Sequence, residues 1–571
     1  MMDFPFNDFP RGVPGRDERA APLGTARWSF TGPVYKPGDI FLGRDSENRE
    51  VGYGDDRHAI TIAGSRAGKG RSCIIPNLLR WPGSCVVIDP KGENASVTAA
   101  KRAALPGHHV AVLDPHHAAD VPEDCRVTFN PLDLIDAGDD DAIDLAAAIS
   151  DAIMIGSGDG KDIHWNESAR QILEGILLHV AATETGPRRS LVRVRQLLTL
   201  GDTHAAKRLN AALPDSEQEF GPFDALWHEM ANSEAPNEAV RDVIAGAAHS
   251  ITEMGDNERG SVLSTARRNT KFIESPWMRR CLEGNGATLN IDRLKDDAGG
   301  LSVYVCLPAR FIPTHARFLR LVLNLTLYRM EAQGLARASC GHPVLFVMDE
   351  FAALGRLESI EKAAGLMAGF GVKLWTILQD LGQLKRHYKE SWETFLGNAG
   401  LLQFFANADM TTLEWLSKRL GELELVRETR SSSSSTTSSL SKSQGRTEQS
   451  GWSRGSSISE GLSDMAELQR VAARDGGSGL VPFLARAGAS GTGSSQGHSS
   501  QDGVSGGESV QQGDSSSAGT SASDATSEGI HRTALITPDE LARLFDRATM
   551  LQVVIINGSS LAMNRTNFIT K

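Results

Sequence analysis

Short apolar runs recur in two separated stretches of the chain. They fall at residues 60–62, 84–88 and 110–113, and again at 301–307, 344–348, 372–378 and 401–405. Each has the length of a strand buried on both faces. Helical stretches separate several of them, and that alternation predicts a mostly parallel sheet covered on both sides. Between about 138 and 290 the strand pattern stops. Amphipathic periodicity replaces it at 142–154, 166–182, 191–198, 205–212, 223–231, 235–252 and 261–271, and Ile172, Leu173, Ile176, Leu177 and Val180 share one helix face. The expected fold is α/β with an inserted all-α domain.

The flanks differ in texture. Residues 1–35, interrupted by Pro5, Pro10, Pro14 and Pro22, are expected to form an extended or disordered arm. Residues 429–530 are rich in Ser, Gly, Thr and Gln and are expected to be a long disordered excursion, because such a composition cannot offset its ordering entropy. One island at 464–474, with Met465, Leu468 and Val471, is a candidate short docking helix. Order should return at Thr537, which precedes Pro538 as a helix cap, followed by a strand at 550–556.

Composition narrows the picture modestly. A chain of 571 residues with 40% hydrophobic content can bury a large core. No stretch approaches the roughly 18–20 apolar residues needed to span a bilayer, since Arg320 and Asn324 interrupt the best candidate at 319–327. Six scattered cysteines without a C-x-x-C pair suit reduced thiols, and no signal peptide opens the chain, so a cytoplasmic location is expected. The net charge of −12 argues against a protein that coats DNA globally but leaves a local basic surface open.

The chemistry lies at strand ends. After the run at 60–62 comes Ala63-Gly64-Ser65-Arg66-Ala67-Gly68-Lys69-Gly70-Arg71, then an apolar helix. Glycines let backbone N–H groups turn toward a polyphosphate, Lys69 reaches the β/γ-phosphates, and the helix dipole favours the anion. Gly64, Ser65, Arg66, Ala67, Gly68, Lys69, Gly70 and Arg71 are therefore the candidate ATP-binding residues. Ala63 replaces the usual first glycine, and Gly70 replaces the hydroxyl residue that usually touches Mg²⁺, so Ser72 or a water must serve there, or binding leans on Asp349. The run at 344–348 ends in Asp349-Glu350, a candidate Mg²⁺ ligand followed by a candidate general base. Gln379, at the end of 372–378, could sense the γ-phosphate or orient water. Asp89-Pro90-Lys91-Gly92-Glu93 closes another strand, and Lys91 could touch phosphate or a neighbouring subunit. His108-His109 and His116-His117 flank a strand and lack a metal-ligand spacing.

With Ile75-Pro76-Asn77-Leu78-Leu79, Asp89-Pro90-Lys91-Gly92-Glu93, Phe129-Asn130-Pro131-Leu132-Asp133 and Asp349-Glu350-Phe351-Ala352-Ala353-Leu354-Gly355-Arg356, the chain resembles the TraG-like coupling ATPases of type IV secretion and conjugation. The resemblance implies a RecA-like P-loop NTPase domain at 36–137 and 291–428, an all-α domain at 138–290 and a C-terminal return at 531–571. It implies ATP and Mg²⁺ as cofactors and a homo-oligomer, expected to be a hexamer. It further implies recruitment and transfer of single-stranded DNA with its relaxase, or of an effector protein. In a ring, Arg267, Arg268 or Arg356 could complete a neighbour's site. The family's N-terminal transmembrane helices have no counterpart here, so either a membrane-anchored secretion partner holds the ring, or the chain is a soluble intracellular DNA motor. A third alternative is a recruitment platform that binds ATP with little turnover.

Overall fold

The computed structural model describes residues 26, 28–155, 163–212, 219–335, 337–441 and 515–568. Its strands are β1 (Ile40–Arg44), β2 (Glu50–Tyr53), β3 (His58–Ala63), β4 (Cys85–Ile88), β5 (His109–Leu113), β6 (Leu301–Val305), β7 (Val344–Met348), β8 (Val372–Leu378), β9 (Ala399–Phe405), β10 (Glu422–Ser441), β11 (Ser515–Ala534), β12 (Leu551–Ile556) and β13 (Ser559–Asn564). All except β10 and β11 join one 11-stranded sheet in the order β2-β1-β13-β12-β9-β3-β8-β7-β4-β6-β5. From β9 to β5 every pairing is parallel. From β9 outward through β12, β13, β1 and β2 every pairing is antiparallel. Each predicted apolar run lies on one of these strands. The antiparallel strands β1, β2 and β13 were not foreseen.

A row of buried polar side chains crosses the sheet. Trp375 donates to the Thr61 hydroxyl (2.8 Å), Thr61 to Gln403 (2.7 Å), Gln403 to Gln552 (2.6 Å), and Gln552 to the Leu42 carbonyl (2.6 Å). Each bond satisfies a group that burial would otherwise penalise, so the row fixes register from β8 across to β1. Asn77 performs a related task on the helix Ile75–Arg80. Its amide accepts from the Phe41 N–H (2.7 Å) and donates to the Phe41 carbonyl (2.8 Å), imitating a strand partner and pinning β1 beneath the helix.

Between β5 and β6 the chain forms the helices Ala142–Ile153, Ile163–Thr183, Leu191–Leu200, Thr203–Ala211, Pro222–Ala231, Glu238–Glu253 and Asp256–Thr270. The second packs against Ala142–Ile153, Glu238–Glu253 and Asp256–Thr270, and its predicted face of Ile172, Leu173, Ile176, Leu177 and Val180 is fully buried. Entry to and exit from this helical stretch run side by side. Thr128 N–H donates to Ala287 (2.8 Å) and Leu289 N–H to Thr128 (2.9 Å). Asn130 secures the entry by donating to Asp133 (2.7 Å) and to the Arg189 carbonyl (2.8 Å).

The chain divides into two compact units, Ser29–Thr412 with Phe545–Lys571, and Met1–Trp28 with Leu413–Leu544. Everything above except the ribbon belongs to the first. In the second, β10 and β11 pair antiparallel from Glu422↔Ala534 to Ser441↔Ser515. Residues 429–441 and 515–530, which composition assigns to the low-complexity tract, form the outer part of this ribbon, where backbone hydrogen bonds ask little of the side chains. The island at 464–474 and nearly all of the arm at 1–35 before Trp28 lie outside the described residues. The helix Pro538–Leu544 follows the expected cap, with Thr537 N–H donating to Glu540 (2.9 Å) and Glu540 N–H to the Thr537 hydroxyl (3.4 Å). Among the described residues no helix is long and apolar enough to cross a membrane. All six cysteines are free.

Of the four histidines, His108 and His116 are absorbed by packing, while His109 and His117 are exposed. His116 stacks on Phe311 with ring centroids 3.9 Å apart, and His117 meets Trp277 edge-on. His108 sits beside the buried guanidinium of Arg102 (3.2 Å), which also donates to the carbonyls of Trp81 and Gly83 (2.8 Å each). Burial, then the Arg102 charge, pushes the His108 pKa down to about 4. The unfolded chain therefore takes up this proton near pH 6.5 while the folded protein resists it to about 4, so folding stability falls as pH drops through that window. Thermal melts at pH 7.5, 5.5 and 4.5 should show a smaller acid loss for His108→Gln, which keeps an acceptor without the titration. An equal loss in both proteins would remove His108 as the cause.

Candidate functional site

Four adjacent parallel strands, β3, β8, β7 and β4, end on one edge of the sheet: Ile62 lies opposite Leu378, while β7 and β4 end two residues earlier, with Met348 opposite Thr376 and Ile88 opposite Met348. Their carboxyl ends carry the candidate residues: Gly64–Arg71 after β3, Gln379 after β8, Asp349-Glu350 after β7, and Asp89 and Lys91 after β4. That edge is where α/β sheets bind ligands.

The loop after β3 has the backbone its sequence requires. Ala63 is the last strand residue and keeps ordinary negative φ, which explains why the missing first glycine is tolerated. Gly64 is the position that cannot carry a side chain, because a Cβ there would collide with the Ala406 carbonyl oxygen. Gly68 adopts φ 87° and faces open space. The following helix opens with one wide turn over Gly70–Ile74, in which Ile75 N–H reaches back to the Gly70 carbonyl.

The loop fits a polyphosphate. The N–H groups of Ser65, Arg66 and Gly68 have no acceptor among the described residues. The Lys69 ammonium is buried and makes no hydrogen bond among them; Glu350 Oε1 stands 4.0 Å away. An orphaned buried ammonium beside free amides is the donor set an anionic ligand would complete. Ser72 is buried, and its hydroxyl donates to the Gly68 carbonyl (2.9 Å).

The acidic side is organised by Gln379, whose amide donates to Glu350 Oε2 (3.0 Å) while Lys69 faces the other oxygen. Glu350 itself holds left-handed backbone geometry (φ 55°, ψ 40°), uncommon for a non-glycine residue. Burial raises the Asp349 pKa, with Lys69 and Lys91 opposing and Glu350 adding to the rise. Asp89 is buried and accepts from Ala95 N–H (2.8 Å); burial first, then the Asp349 and Glu93 charges, pushes it up to about 6. Asp349 is the carboxylate that a divalent cation accompanying a polyphosphate would meet; among the described residues no group of three or more metal-ligating side chains gathers here, so the phosphates and water would supply the other ligands. Asp380, next to Gln379, is committed to capping the helix Leu381–Tyr388 through Gln383 N–H (2.8 Å).

Among the candidate trans-acting arginines, Arg267 donates to the Leu198 carbonyl (2.7 Å) and lies over Phe223, whereas Arg268 and Arg356 are exposed. One residue at the loop escaped sequence reasoning altogether. Arg565, just beyond β13, is buried and donates to the Ala67 carbonyl (2.7 Å).

Residues 31–450 match the family described as Type IV secretory system Conjugative DNA transfer. The chain belongs to this family. Among its curated relatives, the conjugal transfer protein TraG of Escherichia coli is 28% identical over 418 residues, covering 72% of this chain and 60% of the relative. Protein VirD4 of Agrobacterium fabrum is 26% identical over 414 residues, covering 70% and 56%. The chain thus spans 60% or less of the length of these relatives. In the same fold stand the bacterial conjugative coupling protein TrwBdeltaN70 with sulphate (TM-score 0.55, 13% identity, 97% of this chain and 96% of that one) and TrwB with the ATP analogue ADPNP (TM-score 0.53, 13% identity, 95% and 91%). At such identity the likeness concerns the fold, which is that of a RecA-like P-loop NTPase.

The loop geometry separates two neighbouring substitutions. Ala63→Gly should change stability by about 1 kcal/mol or less. Gly64→Ala should abolish the rise in melting temperature that inorganic pyrophosphate gives the wild type. Equal pyrophosphate protection in both variants would contradict the close approach to Ala406.

Proposed function

We propose that the chain is a Mg²⁺-dependent ATPase that couples ATP hydrolysis to the recruitment and transfer of single-stranded DNA through a type IV secretion system. One observation carries the catalytic part: the Lys69 ammonium, buried without a hydrogen bond, faces a Glu350 carboxylate that Gln379 holds from its other side. Membership of the conjugative DNA transfer family supports the substrate. TrwB, which shares the fold, has been solved with ADPNP and with ADP and Mg²⁺, which supports the nucleotide and the metal.

The residues divide the work. The amides of Gly64–Arg71 cradle the phosphates, and Lys69 turns from Glu350 to the β/γ-phosphates of the substrate. That leaves Glu350 with one oxygen free to take a proton from the attacking water, while Gln379 keeps the carboxylate aimed. Asp349 would hold Mg²⁺, directly or through its water shell, with Ser72 as the second candidate; the ion supplies charge neutralisation at the transferring phosphoryl group. Asp89 and Lys91 set the charge on the flank of Asp349. The family likeness also supports a ring, hexameric by our reading, in which Arg268 or Arg356 reaches a neighbour's site and a membrane-bound secretion component anchors the assembly.

The test is ATP hydrolysis by the purified protein with and without single-stranded DNA. Turnover should rise with DNA and disappear in Lys69→Ala. Glu350→Gln should lower kcat by about 100-fold or more while still binding nucleotide, and Gln379→Ala should fall between it and the wild type. ATP binding without turnover in either condition would overturn the motor and leave a recruitment platform.

A further inference from the structure

The outer face of the phosphate loop is gripped by the end of the chain. Arg565 is 5% exposed, and its guanidinium lies 4.3 Å from the Phe405 ring at the end of β9. Its backbone N–H is fixed on the Met550 carbonyl (2.8 Å). From this seat one Nη donates to the Ala67 carbonyl (2.7 Å) and the other to the Arg547 carbonyl (3.3 Å). Three residues on, Phe568 N–H donates to the Arg71 carbonyl (2.8 Å), and Lys101 lies over the Phe568 ring. The segment 565–568 therefore follows the loop from its apex to the start of its helix.

Peptide geometry gives this contact a consequence. The Ala67 carbonyl and the Gly68 N–H belong to one planar trans unit, so they point in opposite directions. Gly68, at φ 87°, is conformationally permissive, and without an outside partner the Ala67–Gly68 peptide could rotate. A charged donor on the outer carbonyl holds the Gly68 N–H facing inward, where it has no acceptor of its own among the described residues.

We propose that Arg565 is a positioning residue for nucleotide binding, acting from outside the loop to keep the Gly68 amide aimed at the phosphates. This rests on the loop being the nucleotide site, and the test separates the two. Binding of a fluorescent ATP analogue and steady-state hydrolysis are measured for the wild type, Arg565→Met and Arg565→Lys. Arg565→Met keeps the stem over Phe405, and Arg565→Lys keeps the charge but not the fork. Failure of the wild type to bind would overturn the nucleotide site itself. With a binding wild type, Kd and KM should rise about tenfold or more in Arg565→Met, with kcat nearly unchanged, and by less in Arg565→Lys. A purely structural arginine would lower kcat through loss of folded protein and leave KM alone. Wild-type Kd in either folded variant, or a loss confined to kcat, would overturn the proposal; should Arg565→Met not fold, Arg565→Lys decides it.

Discussion

Parallel pairing of β3 with β8, β8 with β7 and β7 with β4 brings the carboxyl ends of four strands to one edge, within two residues of one another, and the candidate site is assembled there. Slipping any of these strands by one residue would reverse the faces of its side chains and displace Lys69, Gln379 or the Asp349-Glu350 pair from the others. The register is held from both directions. Continuous apolar strands bury both faces of the sheet, and the polar row from Trp375 to Leu42 permits one alignment of its members. The geometry of the candidate site is therefore a consequence of core packing, while the loops supply its polar groups.

Within that frame the site rests in a braced state. Gln379 holds one oxygen of Glu350 and Lys69 faces the other from 4.0 Å, while Glu350 itself has left-handed backbone. In the proposed mechanism an anion in the loop draws Lys69 away from Glu350, which ties nucleotide entry to release of the base. The helical insertion is tied to the same frame: its entry and exit are bonded to each other at Thr128, and Arg317 on the helix Ile312–Ala332 donates to the Ile153 carbonyl (3.1 Å) and to Asn269 (2.9 Å).

Much of this was legible in the sequence, for physical reasons that differ by residue. Buried parallel strands read as unbroken apolar runs, and the phosphate loop and Asp349-Glu350 stand at the ends of such runs. The helical face from Ile172 to Val180 follows a strong 3.6-residue period. The strands β1, β2 and β13 were not legible, because β1 is set by pairing with β2 and β13 and by the Asn77 bonds to Phe41, and β13 by pairing with β12, none of which leaves a local pattern. Arg565 was invisible for the same reason: its partner lies 498 residues earlier in the chain. The ribbon formed by the serine-rich flanks draws on backbone pairing that composition does not report.

The most direct test is a structure of the protein with a non-hydrolysable ATP analogue and Mg²⁺. Lys69 Nζ should lie within hydrogen-bond distance of the terminal phosphates and no longer beside Glu350, with the Gly68 N–H on a phosphate oxygen, Mg²⁺ on the Asp349 side, and Gln379 still bonded to Glu350. A nucleotide seated away from the Gly64–Arg71 loop, or bound there with Lys69 still beside Glu350, would contradict the proposed mechanism.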